Sequence, residues 1–118
     1  LKQRRPSIAI IDIMGMAYDG STLDHRGIGG SEAAVCQIAR ELQKIGFDVT
    51  VYNACDEEDC IPGFYDDVLY EPLSLLGNET FDIVISSRAV TPFVPSNWEF
   101  EETLKRKIDY KKLDLLRQ

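Results

Sequence analysis

At 118 residues, with 44% hydrophobic and 28% charged side chains, the chain has the size and make-up of one globular domain that can bury roughly 65% of the surface its unfolded form exposes. Its formal net charge of -7, from 20 acids against 13 bases, opposes the phosphate attraction on which most nucleic-acid binders rely, so no nucleic-acid partner is expected. No apolar run approaches the ~18 residues of a bilayer span, and the first residues turn into a strand pattern rather than a signal-peptide core, which predicts no transmembrane segment and a cytoplasmic location.

Ser7 to Met14, SIAIIDIM, is a short isoleucine-rich run whose near-continuous apolar character suits a strand buried on both faces of a parallel sheet. Gly15 to Gly30 follows as a long polar loop without helical period, with Asp19, Gly20, Ser21, Asp24 and Gly27 supplying turn chemistry. Loops beyond ~12 residues in a compact domain are commonly functional. From Ser31 to Ile45 the apolar positions Val35, Ile38, Leu42 and Ile45 recur at intervals of three and four, which predicts an amphipathic helix packing Val35, Ile38 and Leu42 on the sheet. Ser31 or Gly30 is the expected N-cap, Glu32 lies in the first turn where the dipole favours an anion, and Gly46 ends the helix.

Phe47 to Ala54, FDVTVYNA, is dense in β-branched and aromatic residues and predicts a second strand, parallel to the first through a right-handed crossover. The acidic segment CDEEDCIPGFYDD reads as a surface loop, VLYEPL as a weaker third strand, Ser74 to Glu79 as a turn or short helix, and Phe81 to Ser87 as a strong fourth strand. Beyond Arg88, two prolines in AVTPFVPSNW predict loop, and Phe100, Leu104, Ile108 and Leu115 predict a final charged helix. The fold class expected is therefore α/β: a Rossmann-like, mainly parallel sheet with helices on both faces, forming one domain or part of one over residues 1–118.

Gly27-Ile28-Gly29-Gly30-Ser31-Glu32 stands between the first strand and the helix, where open α/β sheets bind ligands at the carboxyl ends of their strands. Glycine there lets a phosphate oxygen approach backbone N–H groups that the helix start leaves unpaired and partially positive. Gly29, Gly30 and the Ser31 hydroxyl could thus cradle a diphosphate; alternatively the glycines only make a tight turn into the helix. A dinucleotide fingerprint competes, because GIGGSE satisfies the first two glycines of G-x-G-x-x-G. Against it, Glu32 stands where the third glycine belongs, the glycines come about a dozen residues after the strand, and the acid near the second strand's end, Asp56, sits in an acidic run.

A buried first strand, a long loop, G-G-S-E opening an amphipathic helix and then Gly-Phe-Asp-Val-Thr-Val as the second strand resemble the N-terminal domain of GT-B retaining glycosyltransferases, the large family that includes sucrose synthases and many bacterial glycan-building enzymes. The resemblance covers about Ser7 to Arg88, and its most specific piece is GGSEAAVCQIARELQKIGFDVTVY. It implies an acceptor-side domain, with no tightly bound cofactor, that meets a nucleotide-diphosphate sugar held mostly by a C-terminal domain of the same polypeptide and receives a glycan or small-molecule acceptor. By position it implies that Gly29, Gly30 and Ser31 face the donor phosphates and that Glu32, whose charge would repel them, braces the loop or caps the helix. Ser86, Ser87 and Arg88 would border the same crevice if the strand order is third-second-first-fourth, with Arg88 on the acceptor or phosphate side or in an ordinary surface ion pair. The Glu-x7-Glu motif of the family's C-terminal domain has no counterpart in these 118 residues, so no catalytic residue is assigned and the chain alone is expected to be inactive. A dinucleotide-binding oxidoreductase domain and a non-catalytic α/β interaction module are the alternatives.

His25, the single histidine, follows Asp24 in the long loop and reads either as an acid-base group near the cleft or as a solvated loop residue. Cys55 and Cys60 bracket four acids but lack the spacing and further ligands of a thiolate metal site, so no metal is expected. With Cys36, placed beside the apolar stripe as a small buried hydrophobe, they form no disulfide framework, which agrees with a reducing compartment. Trp98 and Phe100 are read as the anchor of the last helix, and Lys105, Arg106, Lys107, Lys111 and Lys112, interspersed with Asp109 and Asp114, as a solvated face.

Overall fold

A computed structural model describes residues 4–13, 16–77 and 79–87. Arg88 and the expected final helix, with Trp98 and the basic stretch, lie outside the described residues. The elements are β1 (Ser7–Ile11), α1 (Thr22–His25), α2 (Gly30–Lys44), β2 (Asp48–Asn53), β3 (Gly63–Tyr65), β4 (Val68–Pro72), a 3-10 turn (Leu73–Leu75) and β5 (Ile83–Ser86). They form one five-stranded sheet in the order β3-β4-β2-β1-β5. The pairs β1/β2, β1/β5 and β2/β4 are parallel, and β3/β4 is antiparallel. The chain is thus an α/β domain with a mostly parallel sheet, and its four parallel strands stand in the sequence-expected order.

β3 is the departure. The segment read as loop folds GFY back onto β4 through the two-residue turn Asp66-Asp67, both with positive φ (52° and 65°). That is the left-handed pair which matches strand twist in a tight hairpin; the sequence masks it because Asp-Asp replaces the usual Asn-Gly or Asp-Gly. Arg40 of α2 offsets the acidity with its Nε 2.8 Å from Asp66 Oδ2. The loop after β1 also holds the single turn α1, too short to impose a period on the sequence.

Alternation along the strands sends Ile8, Ile10, Val49, Val51, Val68 and Tyr70 to the face covered by α2. Ala9, Ile11, Tyr52 and Val84 go to the other face, sealed by Leu73, Leu76 and Phe81 around the 3-10 turn. Helices on both faces are therefore only half visible: among the described residues, the second face carries the 3-10 turn and no α-helix.

The buried stripe of α2 is Glu32, Val35, Cys36, Ala39 and Gln43, with Leu42 partly buried. This corrects the expected docking face: Ile38 is 53% exposed and Ile45 is exposed too. Small side chains at 36 and 39 let the helix lie close to the sheet, and that close contact rotates Ile38 onto its flank. Gln43 is buried because its Oε1 accepts the Val49 amide at 2.9 Å, tying the helix to the first residues of β2. Among the described residues, no helix is long and apolar enough to cross a membrane.

Candidate functional site

β1 has β2 on one side and β5 on the other, so the strand order reverses at β1, and the chain leaves its carboxyl end into the loop that leads to α2. In open α/β sheets this is where a crevice forms. Gly29, with extended φ and ψ of -61° and 157°, is the N-cap of α2, in place of the expected Ser31 or Gly30, and no side chain caps the helix. The first intrahelical bond runs from the Ala33 amide to the Gly29 carbonyl at 2.9 Å. Gly30 and Ser31 precede it, so their amides point out of the helix start. Gly29 and Gly30 are exposed and Ser31 is half-buried.

The two glycines have different causes. A Cβ on Gly29 would collide with the Glu32 Oε1. A Cβ on Gly30 would meet nothing within 4 Å, and Gly30 carries no positive φ. A side chain at 29 would therefore have to displace the end of Glu32 from its place over the bend, whereas nothing inside the molecule accounts for the glycine at 30.

Glu32 is only 5% exposed, with its Oε2 3.3 Å from the Met16 amide that donates to it. Its carboxylate turns back over Gly29 toward the beginning of the loop, so it braces that loop across the helix start. Gly29, Gly30, Ser31 and Glu32 thus stand together, whereas Arg88 lies outside the described residues. Ser87 shares a 230 Å³ cavity with Ser31, which brings the end of β5 beside the helix start.

Two acids organise the same loop: Asp12, which closes the first strand, and Asp19, expected only to supply turn chemistry. Asp12, buried at the carboxyl end of β1, accepts the Tyr18 hydroxyl at 2.7 Å. Burial, reinforced by the Asp12 carboxylate, pushes the Tyr18 hydroxyl far up, so it stays protonated and keeps donating. Asp19 accepts the Ser21 amide (2.8 Å), the Ser21 hydroxyl (2.6 Å), the Thr22 hydroxyl (3.3 Å) and the Ile61 amide (2.9 Å). Burial works to raise its carboxyl, but these donors outweigh it and hold Asp19 below the usual carboxylate range. The only sequence signal for either was an acid closing an apolar strand, IID, and an acid followed two residues later by serine.

A second cavity of about 300 Å³ opens between the loops that follow β1 and β2, lined by Asp19, His25, Arg26, Glu58, Asp59 and Cys60. His25 Nε2 lies 3.2 Å from the Ser21 hydroxyl oxygen, and Arg26 donates to the Ala17 carbonyl at 2.7 Å. His25 and Cys60, 35 positions apart, share this wall through the fold alone. The three cysteines are free; Cys36 and Cys55 are buried. Burial, with Asp56 adding to it, pushes the Cys55 thiol up to about 12, far from a reactive thiolate. Among the described residues, no group of three His, Cys, Asp or Glu side chains could hold a metal ion.

No family model, curated protein or solved structure matches the chain. Its functional reading therefore rests on the local chemistry of the helix start and the two cavities.

Proposed function

We propose that the chain is the Rossmann-like, N-terminal acceptor-side domain of a glycosyltransferase that transfers a sugar from a nucleotide-diphosphate donor, with the bend at Gly29, Gly30 and Ser31 facing the donor diphosphate. Gly30 carries this reading. It stands exposed at the first turn of a 15-residue helix, in open space, in a conformation any residue could adopt. Neither packing nor backbone geometry calls for a glycine there, whereas close approach of an anion to the amides does.

The surroundings support it. Glu32, the one carboxylate in the first turn, is buried with its Oε2 on the Met16 amide and its Oε1 against Gly29, which leaves the open approach at Gly30 and Ser31. The bend sits where the strand order reverses, and the 300 Å³ cavity opens from the loops at the same edge of the sheet, where an acceptor would approach. Leaving-group charge on a diphosphate would be met by the helix amides and by cationic groups of the donor-binding domain.

Amide chemical shifts during titration with inorganic pyrophosphate, UDP, GDP and NAD test the proposal. Weak, saturable shifts at residues 29–33 with pyrophosphate and the nucleoside diphosphates are expected. Tight binding of NAD would instead favour a dinucleotide-binding domain, and unmoved amides at 29–33 under saturating pyrophosphate would overturn the anion site.

A further inference from the structure

The two faces of β5 are finished differently. Val84 is buried beside Leu76 and Phe81, whereas Ile85 is 40% exposed. Ile85 lies in register with buried Ile10, on the face that carries α2. Ile38 stands open on the adjacent flank of that helix, and between Ile38 and Ile85 lies the 230 Å³ cavity, floored by Ile10 and Val35. Because α2 starts at the carboxyl end of the strands and runs back along them, the step from Ser31 to Ile38 gives the cavity a length of ~10 Å.

The lining changes character along that length. Ile10, Ala34, Val35, Ile38 and Ile85 make most of the wall aliphatic. Its two hydroxyl side chains, Ser31 in the first turn of α2 and Ser87 just past β5, both stand at the carboxyl end of the sheet, beside the glycine bend. A group that fills the cavity must therefore be apolar along its body and polar only at the end next to the bend. A nucleobase fails that condition, because its ring donors and acceptors would face isoleucine and valine without partners. An aliphatic chain meets it. Apolar cavities of about 150 Å³ hold one benzene, so 230 Å³ takes roughly eight to ten carbon atoms.

We propose that this cavity binds the aliphatic chain of an amphipathic ligand, with the chain along Val35, Ile38 and Ile85 and the polar head at Ser31 and Ser87. The proposal rests on the glycosyltransferase reading only for the ligand's role: there it is the acceptor, its chain held on the β5 side of the bend and its head at the bend itself.

Methyl chemical shifts of the full chain during titration with glucose and with its butyl, hexyl and octyl β-glycosides test it. Shifts at Ile10, Val35, Ile38 and Ile85 are expected with the glycosides and not with glucose, and affinity should rise about threefold to fourfold for each added methylene. Ala34→Phe, at an exposed helix position, puts a ring into the cavity. It should abolish the chain-length dependence while pyrophosphate still moves amides 29–33. Affinity that ignores chain length, or octyl glycoside bound equally by Ala34→Phe, would overturn the proposal and leave the glycosyltransferase reading standing. Chain-length dependence with amides 29–33 unmoved by pyrophosphate would support the cavity and count against the anion site alone.

Discussion

The two ends of α2 are built on opposite plans. At the carboxyl end every means of closure is used: Gly46, with φ of 118°, donates its amide to Gln43, and Phe47 donates to Leu42, the paired bonds of a Schellman motif. The Arg5 guanidinium adds bonds to the carbonyls of Gln43 (2.6 Å), Phe47 (2.8 Å) and Gly46 (3.1 Å). At the amino end no side chain caps the helix, and the nearby carboxylates serve the loop: Glu32 takes Met16, Asp12 takes Tyr18, and Asp19 takes Ser21, Thr22 and Ile61. Fixing a helix end and fixing the frame around it are separate tasks, and here the protein performs the first at one end and the second at the other.

The frame is the place to break first. Asp19→Ala would leave the donors of Ser21, Thr22 and Ile61 without their shared acceptor, in a setting only 4% exposed, and should lower stability by about 2–4 kcal/mol in urea denaturation. A loss below about 1 kcal/mol would mean that the loop stands on Tyr18 and Arg40 instead. The same residue sets a pH dependence. Because the folded state holds the Asp19 carboxyl below its ordinary value, its contribution is complete above the unfolded pKa of ~4 and is lost as pH falls through the lower folded value. Subtracting the acid unfolding profile of Asp19→Asn from that of the unchanged chain should isolate this fall, and parallel profiles would contradict it.

At the closed end a smaller loss is expected. Gly46→Ala forces a side chain into the left-handed region that Gly46 occupies and should cost about 1–2 kcal/mol, with the denaturant slope unchanged. A neutral result would show that the Arg5 bonds alone hold this end.

The closed end was legible in the sequence and the open end only in part. Gly46 after a periodic run, followed by β-branched residues, names a C-cap and a strand because propensity and pattern agree there. The stripe of α2 was read one flank off, since counting large apolar residues picks Ile38 while close packing prefers Cys36 and Ala39. The GGSE bend was located from its neighbours in the chain. Its frame was not, because Asp19 meets Ile61 and Asn53 meets the Tyr18 carbonyl only after the β1 and β2 loops come together, contacts no local window contains. Asp66-Asp67 hid a hairpin for the related reason that Arg40, 26 positions upstream, makes the acidic turn tolerable.

The smallest change in stability belongs to the residue of greatest functional interest. Gly30→Ala and Gly30→Val place a side chain where nothing stands within 4 Å and where φ is ordinary, so unfolding free energy should move by no more than about 0.5 kcal/mol, and Ala can even gain from its better helix propensity. Pyrophosphate binding should nevertheless weaken with Ala and vanish with Val, because the added carbons occupy the approach to the helix amides and not any space the fold uses. A variant that stays folded and still binds would remove the only reason this position has to be glycine. One that loses stability in step with binding would move that reason from a ligand to packing.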